Sequence, residues 1–106
     1  MRLQNKVAVV TASTRGIGAA IVETFTKEGA KVYMAVRNLE KAQEMAERLN
    51  AEGGQVYCVY NDATKQETYK TMIEEVAQKE GRIDILVNNY GGSDPRKRSG
   101  YQTYYV

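Results

Sequence analysis

The chain has 106 residues, 42% of them hydrophobic, with 15 Lys plus Arg against 13 Asp plus Glu and a formal net charge of +2. This is the size and balance of one small soluble domain, and nine Gly with one Pro exclude collagen-like and disordered classes. A single cysteine, Cys58, forms no internal bridge, while the absence of His excludes the usual zinc and haem sites and leaves proton transfer to Tyr, Lys or a carboxylate.

Met1 to Lys6 lead directly into a strand-length apolar run, with no signal-peptide core, and no apolar run approaches membrane-spanning length, so a reducing cytoplasmic setting is expected. Lys6 to Thr11 (KVAVVT) reads as a first strand, β-branched and buried on both faces of a parallel sheet. It runs into Thr11-Ala12-Ser13-Thr14-Arg15-Gly16-Ile17-Gly18. Glycines there let the backbone approach a pyrophosphate, and the start of the next helix presents unpaired amides and positive dipole density to it. A plain strand-to-helix turn is the alternative, since the first position of a GxGxxG series is missing. The helix that follows would bury Ile17, Ala20, Ile21, Thr24 and Phe25, with Gly29 just past its end.

Lys31 to Val36 (KVYMAV) is the second strand, with Tyr33 expected in the core. Arg37 lies 21 residues beyond Gly16, where a dinucleotide-binding unit chooses between a ribose 2′-hydroxyl and a 2′-phosphate. An acid would accept from the hydroxyls and repel a phosphate; Val36 and Arg37 offer none, and a guanidinium suits phosphate. Arg15 could add a second cation, so NADP is favoured over NAD; the alternative is two ordinary surface arginines. Asn38 is placed to cap a second helix with Ala42, Met45, Ala46 and Leu49 on its buried face, Gly53 beyond it and Glu44 paired with Arg48.

Gln55 to Tyr60 (QVYCVY) is the third strand, with Cys58 as a small buried hydrophobe. Thr64 and Glu67 form the pattern of a capping box for a third helix that buries Tyr69, Met72, Ile73, Val76 and Ala77 and ends at Gly81, with Glu75 and Lys79 paired on its surface. Asp84 to Asn88 (DILVN) is the fourth strand. Ser93 to Val106 do not continue the pattern: these fourteen residues hold the only Pro, three of the eight Tyr and three of the basic residues against one acid. A basic tail could bind phosphate-rich partners; a solvated loop is the reading preferred here, and no nucleic-acid partner is expected.

The order βαβαβαβ implies an α/β fold with a parallel sheet, strand order 3-2-1-4, the first two helices on one face and the third on the other. Ligands of such folds sit in the crevice at the switch point, here between the first and fourth strands.

The segment TASTRGIG resembles the cofactor turn, TGxxxGxG, of the short-chain dehydrogenase/reductase family, and Asn88-Asn89-Tyr90-Gly91 resembles its NNAG motif. Asp62-Ala63 matches its adenine-contacting position, and the resemblance covers residues 1 to 92. It implies a cofactor site made of Thr11, Ser13, Thr14, Arg15, Gly16, Ile17, Gly18, Arg37, Asn38, Asp62, Ala63, Asn89, Tyr90 and Gly91, with Arg15 and Arg37 toward the 2′-phosphate and Asn89 to Gly91 toward the adenosine ribose. Ala12 stands for the first glycine, which a small side chain satisfies if φ there stays negative, and Tyr90 stands for the motif's alanine. Residues 83–92 and the STRGIG turn are similar to those of the bacterial NADP-dependent 7α-hydroxysteroid dehydrogenase branch, which implies hydride exchange with a steroid alcohol or ketone.

In this family a Tyr moves the proton, a Lys four residues later lowers its pKa, and an upstream Ser orients the substrate oxygen. None of the eight tyrosines here has Lys at that spacing; the nearest match, Tyr33 with Arg37, lies in a strand that would hold the two apart. Residues 1–92 are therefore expected to be a truncated dinucleotide-binding half without catalytic residues or a metal, its fourth strand a bare edge prone to aggregation. Family members continue into further strands and into homotetramer surfaces, and residues 93–106 are expected to come from a frameshift or a short variant. The alternatives to an oxidoreductase part are an inactive module that binds dinucleotide or a longer paralogue, and a non-functional gene remnant.

Overall fold

The computed structural model describes residues 2–12, 16–62, 64–89 and 101–105. Strands β1 (Val7–Thr11), β2 (Lys31–Val36), β3 (Gln55–Tyr60) and β4 (Ile85–Asn89) alternate with helices α1 (Gly16–Lys27), α2 (Leu39–Ala51) and α3 (Gln66–Glu80), followed by β5 (Tyr101–Tyr105). The sheet order is β3-β2-β1-β4-β5, with the first four strands parallel. Every residue of β1 is buried, as the Val-rich run requires of a central strand covered on both faces. On one face Ala8, Val10, Val32 and Met34 pack against Val22 of α1 and Ala42, Ala46 and Leu49 of α2. On the other, Val9, Tyr33, Ala35 and Val59 pack against Met72 and Val76 of α3, the arrangement right-handed crossovers impose.

Local signals hold at most helix ends. The Asn38 side chain accepts from the Lys41 amide at 3.2 Å, and Gly81 closes α3 at φ 80, its amide donating to Ala77. Glu75 and Lys79 pair at 3.2 Å. Arg48 does not take Glu44; it reaches across to Glu23 of α1 at 2.8 Å, where the packing of α1 beside α2 supplies a carboxylate from outside its own helix. The capping box also fails to form. Asp62, two residues upstream, captures both the Thr64 amide at 3.0 Å and its hydroxyl at 2.7 Å, so α3 starts at Gln66 with no side-chain cap from Lys65.

Helix α1 is rotated from the expected face. Ile17 is 56% exposed and Ala20 and Thr24 face solvent, whereas Gly18 and Val22 are buried with Ile21 and Phe25 against the core. The stripe Gly18-Ile21-Val22-Phe25 has the same helical spacing, and a glycine on it lets the helix lie close to the sheet. Tyr33 is buried in the core, and Cys58 is half-buried against the other core cluster, where burial pushes its thiol up. The fourth strand is not a bare edge: β5 pairs antiparallel with it, Ile85 opposite Tyr105 and Asn89 opposite Tyr101. The Tyr- and Thr-rich run has strong strand propensity, and β4 offers the free backbone groups it needs. Among the described residues no helix is long and apolar enough to cross a membrane.

Candidate functional site

Parallel β1 to β4 bring all their C-terminal ends to one edge of the sheet, where Thr11-Ala12, Arg37-Asn38, Asn61-Asp62 and Asn88-Asn89 meet. Thr11 is buried, its Oγ1 3.4 Å from the Val87 carbonyl of β4. Ala12 follows at φ 49, in the left-handed region rather than at the negative φ expected. The chain must leave a fully buried strand and double back into a helix on one face, while its amide stays bonded to the Ala35 carbonyl at 2.9 Å; a left-handed residue makes that turn.

Gly16 opens α1 at φ 64, and a Cβ there would meet nothing within 4 Å, so conformation rather than space requires the glycine. The first turn of α1 contains no acidic residue, which leaves its amides and positive dipole end uncompensated by a carboxylate of their own. Exposed Ile17 and buried Gly18 complete that turn. Ser13, Thr14, Arg15, Ala63, Tyr90 and Gly91 lie outside the described residues.

At the end of β2, Arg37 and Asn38 are both exposed. Asn38 spends its side-chain oxygen on the α2 cap. The Asn61 amide donates to the Val36 carbonyl at 2.9 Å and thereby brings Asp62 within electrostatic reach of Arg37. Asp62 is buried, and the Thr64 hydroxyl and amide hold its carboxyl below the usual carboxylate range; Arg37 and Lys65 act in the same direction. On β4, buried Asn88 accepts from the Tyr69 hydroxyl at 2.9 Å, and Asn89 ends the strand.

Two participants were not singled out in the sequence as site residues. Thr68 accepts from the Asp62 amide at 2.9 Å, and Tyr69, expected only as core, bonds Asn88. A tyrosine on a buried helix face needs a partner for its hydroxyl, which is the signal that points to it. A separate polar cluster at the opposite edge, Lys31, Tyr33 and Glu80 beside a cleft of about 230 Å³, holds the start of β2 to the end of α3 and shares no residue with this site.

A parallel sheet with its open crevice at the strand ends and a glycine-led helix beneath it defines a dinucleotide-binding fold. The family model described as short chain dehydrogenase matches residues 6–103, and the chain belongs to that family. It is 55% identical over 93 residues to a 7α-hydroxysteroid dehydrogenase of Clostridium sardiniense and 37% identical over 102 residues to one of Bacteroides fragilis. These alignments cover 88% and 96% of this chain but 36% and 39% of those proteins, so the chain spans little more than a third of its relatives. Its fold superposes on a hydroxysteroid dehydrogenase structure from Escherichia coli with TM-score 0.83 at 34% identity, covering 89% of this chain and 40% of the other. A metagenomic short-chain oxidoreductase in complex with NADP gives TM-score 0.81 at 34% identity, covering 87% and 41%.

Proposed function

We propose that the chain is the NADP(H)-binding part of a cytoplasmic short-chain oxidoreductase whose full site exchanges hydride with a hydroxysteroid alcohol or ketone. The residue after β2 carries the cofactor preference. Arg37 is exposed there, Val36 and Asn38 flank it without a carboxylate, and a guanidinium gives a 2′-phosphate charge-assisted hydrogen bonds that a 2′-hydroxyl would use far less. The start of α1 offers amides and dipole to the pyrophosphate, and Gly16 supplies the left-handed φ of 64 at which that helix opens. Asp62 supplies an ionised acceptor for an adenine amino group, and Asn89, which ends β4, lies toward the adenosine ribose. When bound, the nicotinamide supplies or accepts the hydride; these residues bind and orient the dinucleotide. The hydroxysteroid assignment rests on the likeness to the clostridial and other 7α-hydroxysteroid dehydrogenases.

None of the eight tyrosines has a Lys four residues on, which favours a second reading of these 106 residues as a module that binds dinucleotide without turning over substrate. Calorimetric titration with NADPH and NADH, followed by an absorbance assay with NADPH and a 7-keto bile acid, tests both. Tighter binding of NADPH than NADH is expected, with no oxidation of NADPH. Equal affinities would overturn the cofactor assignment, and turnover would overturn the inactive reading.

A further inference from the structure

We propose that Thr68 and Tyr69, consecutive residues of α3, are positioning residues that clamp the ends of β3 and β4 across the crevice. The inference rests on the dinucleotide-binding reading and goes beyond it, because neither side chain belongs to the expected cofactor set.

Strands β3 and β4 are not neighbours: β2 and β1 lie between them. At about 4.8 Å per strand their ends stand roughly 14 Å apart, and the sheet ladder links them only through two intervening strands that twist relative to each other. Helix α3 packs across the face that joins them and reaches both. Thr68 Oγ1 accepts from the Asp62 amide at 2.9 Å, and its own proton goes toward the Lys65 carbonyl at 2.7 Å. That bond fixes the backbone of Asp62 while Thr64 fixes its carboxylate. One residue on, and therefore about 100° around the helix, the Tyr69 hydroxyl donates to Asn88 Oδ1 at 2.9 Å. Asn88 is buried, so losing this donor leaves its oxygen without a partner it now has, at the residue before Asn89. One turn of helix thus sets the separation between the adenine side of the crevice and the end of β4.

The test uses Thr68→Val and Tyr69→Phe in the 106-residue chain, with Thr68→Ser as rescue, titrated with NADPH and with adenosine 2′,5′-bisphosphate at a temperature where every variant is folded. Each of the first two should weaken both ligands about tenfold, and Thr68→Ser should stay within about twofold of the parent. Hydrogen exchange without ligand should quicken at the Asp62 amide in Thr68→Val and at Asn88 and Asn89 in Tyr69→Phe. If the parent binds and both variants bind equally well, the positioning role is overturned; unchanged exchange overturns the clamp whatever the affinities. A parent that binds neither ligand overturns the dinucleotide reading itself, and the clamp's role in binding with it.

Discussion

The Val36 carbonyl accepts the Asn61 amide at 2.9 Å, and this bond just past the end of β3 brings Asp62 near enough to Arg37, the residue after β2, for the guanidinium to help keep its carboxyl ionised. An exposed cation and an ionised carboxylate fixed by Thr64 therefore share one corner of the site. Under the proposed function the cation would face the 2′-phosphate and the carboxylate a hydrogen-bond donor of the adenine.

Arg37→Asp is expected to weaken NADPH binding by roughly 10- to 100-fold, through loss of a charge-assisted hydrogen bond and gain of like-charge repulsion, and to change NADH affinity by less than about threefold. Parallel titrations of parent and variant with both cofactors measure this. A loss shared equally by NADPH and NADH would show that Arg37 does not read the 2′-phosphate.

Ala12→Gly is expected to stabilise the chain by up to about 1 kcal/mol. At φ 49 the alanine methyl carries a left-handed penalty of about 1–2 kcal/mol, which glycine removes while adding roughly 0.5–1 kcal/mol of unfolded-state entropy. Gly16→Ala is the converse: the open space around its Cβ leaves φ 64 as the cost, and a loss of about 1 kcal/mol is expected. Urea midpoints at constant slope check both, and a destabilised Ala12→Gly would remove the strain argument.

These positions also show what could be read from sequence. The strand runs, the two helix faces of α2 and α3 and the glycines at helix ends depend on spacing within a few residues, and they appear where periodicity puts them. So do the strand order and the gathering of Thr11, Arg37, Asp62 and Asn89 at one edge, which follow from parallel crossovers. Choices between competing partners did not show. Thr64 could serve Glu67 in a capping box or Asp62 in a turn, Arg48 could take Glu44 or Glu23, and α1 could bury Ile17 or Gly18; a competing neighbour two residues away decides the first, a carboxylate of another helix the second and the approach of the sheet the third. Ala12 belongs with these, because its φ is set by the path out of β1.

Pairing of β5 predicts the behaviour of the β4 edge. In a strand flanked on both sides, alternate amides face opposite neighbours; β1 pairs with residues 85–87 and β5 with residues 85–89, so residues 85–87 should all exchange slowly in the intact chain. Deleting residues 101–106 should speed exchange at about half of them and raise the tendency to self-associate, read by mass spectrometry and light scattering. Identical exchange with and without these residues would mean that β5 does not hold the edge.

Acid and alkali should act on opposite members of the cluster at the other edge. The Tyr33 hydroxyl donates to Glu80, and Lys31 Nζ stands 2.9 Å from the same carboxylate. The Tyr33 hydrogen bond and, after it, Lys31 hold the Glu80 carboxyl below its ordinary 4.5, so its stabilising contribution is complete above about pH 4.5 and is lost as pH falls through the folded-state value. Tyr33 is raised above its ordinary 10.0, by burial and then by Glu80, and Lys31 above 10.5 by its bond to Glu80; their contributions are complete below those values and disappear as pH rises through the folded ones. Tyr33→Phe removes a hydrogen bond to a charged acceptor and should cost about 1–3 kcal/mol at neutral pH. Glu80→Gln should destabilise at pH 7, and its difference from the parent should shrink as pH falls through the folded-state value, where the parent loses the same charge. Urea midpoints at successively lower pH decide it: a difference that never shrinks on acidification, down to where the parent itself unfolds, would mean that packing, not the ionised carboxylate, is what Glu80 contributes.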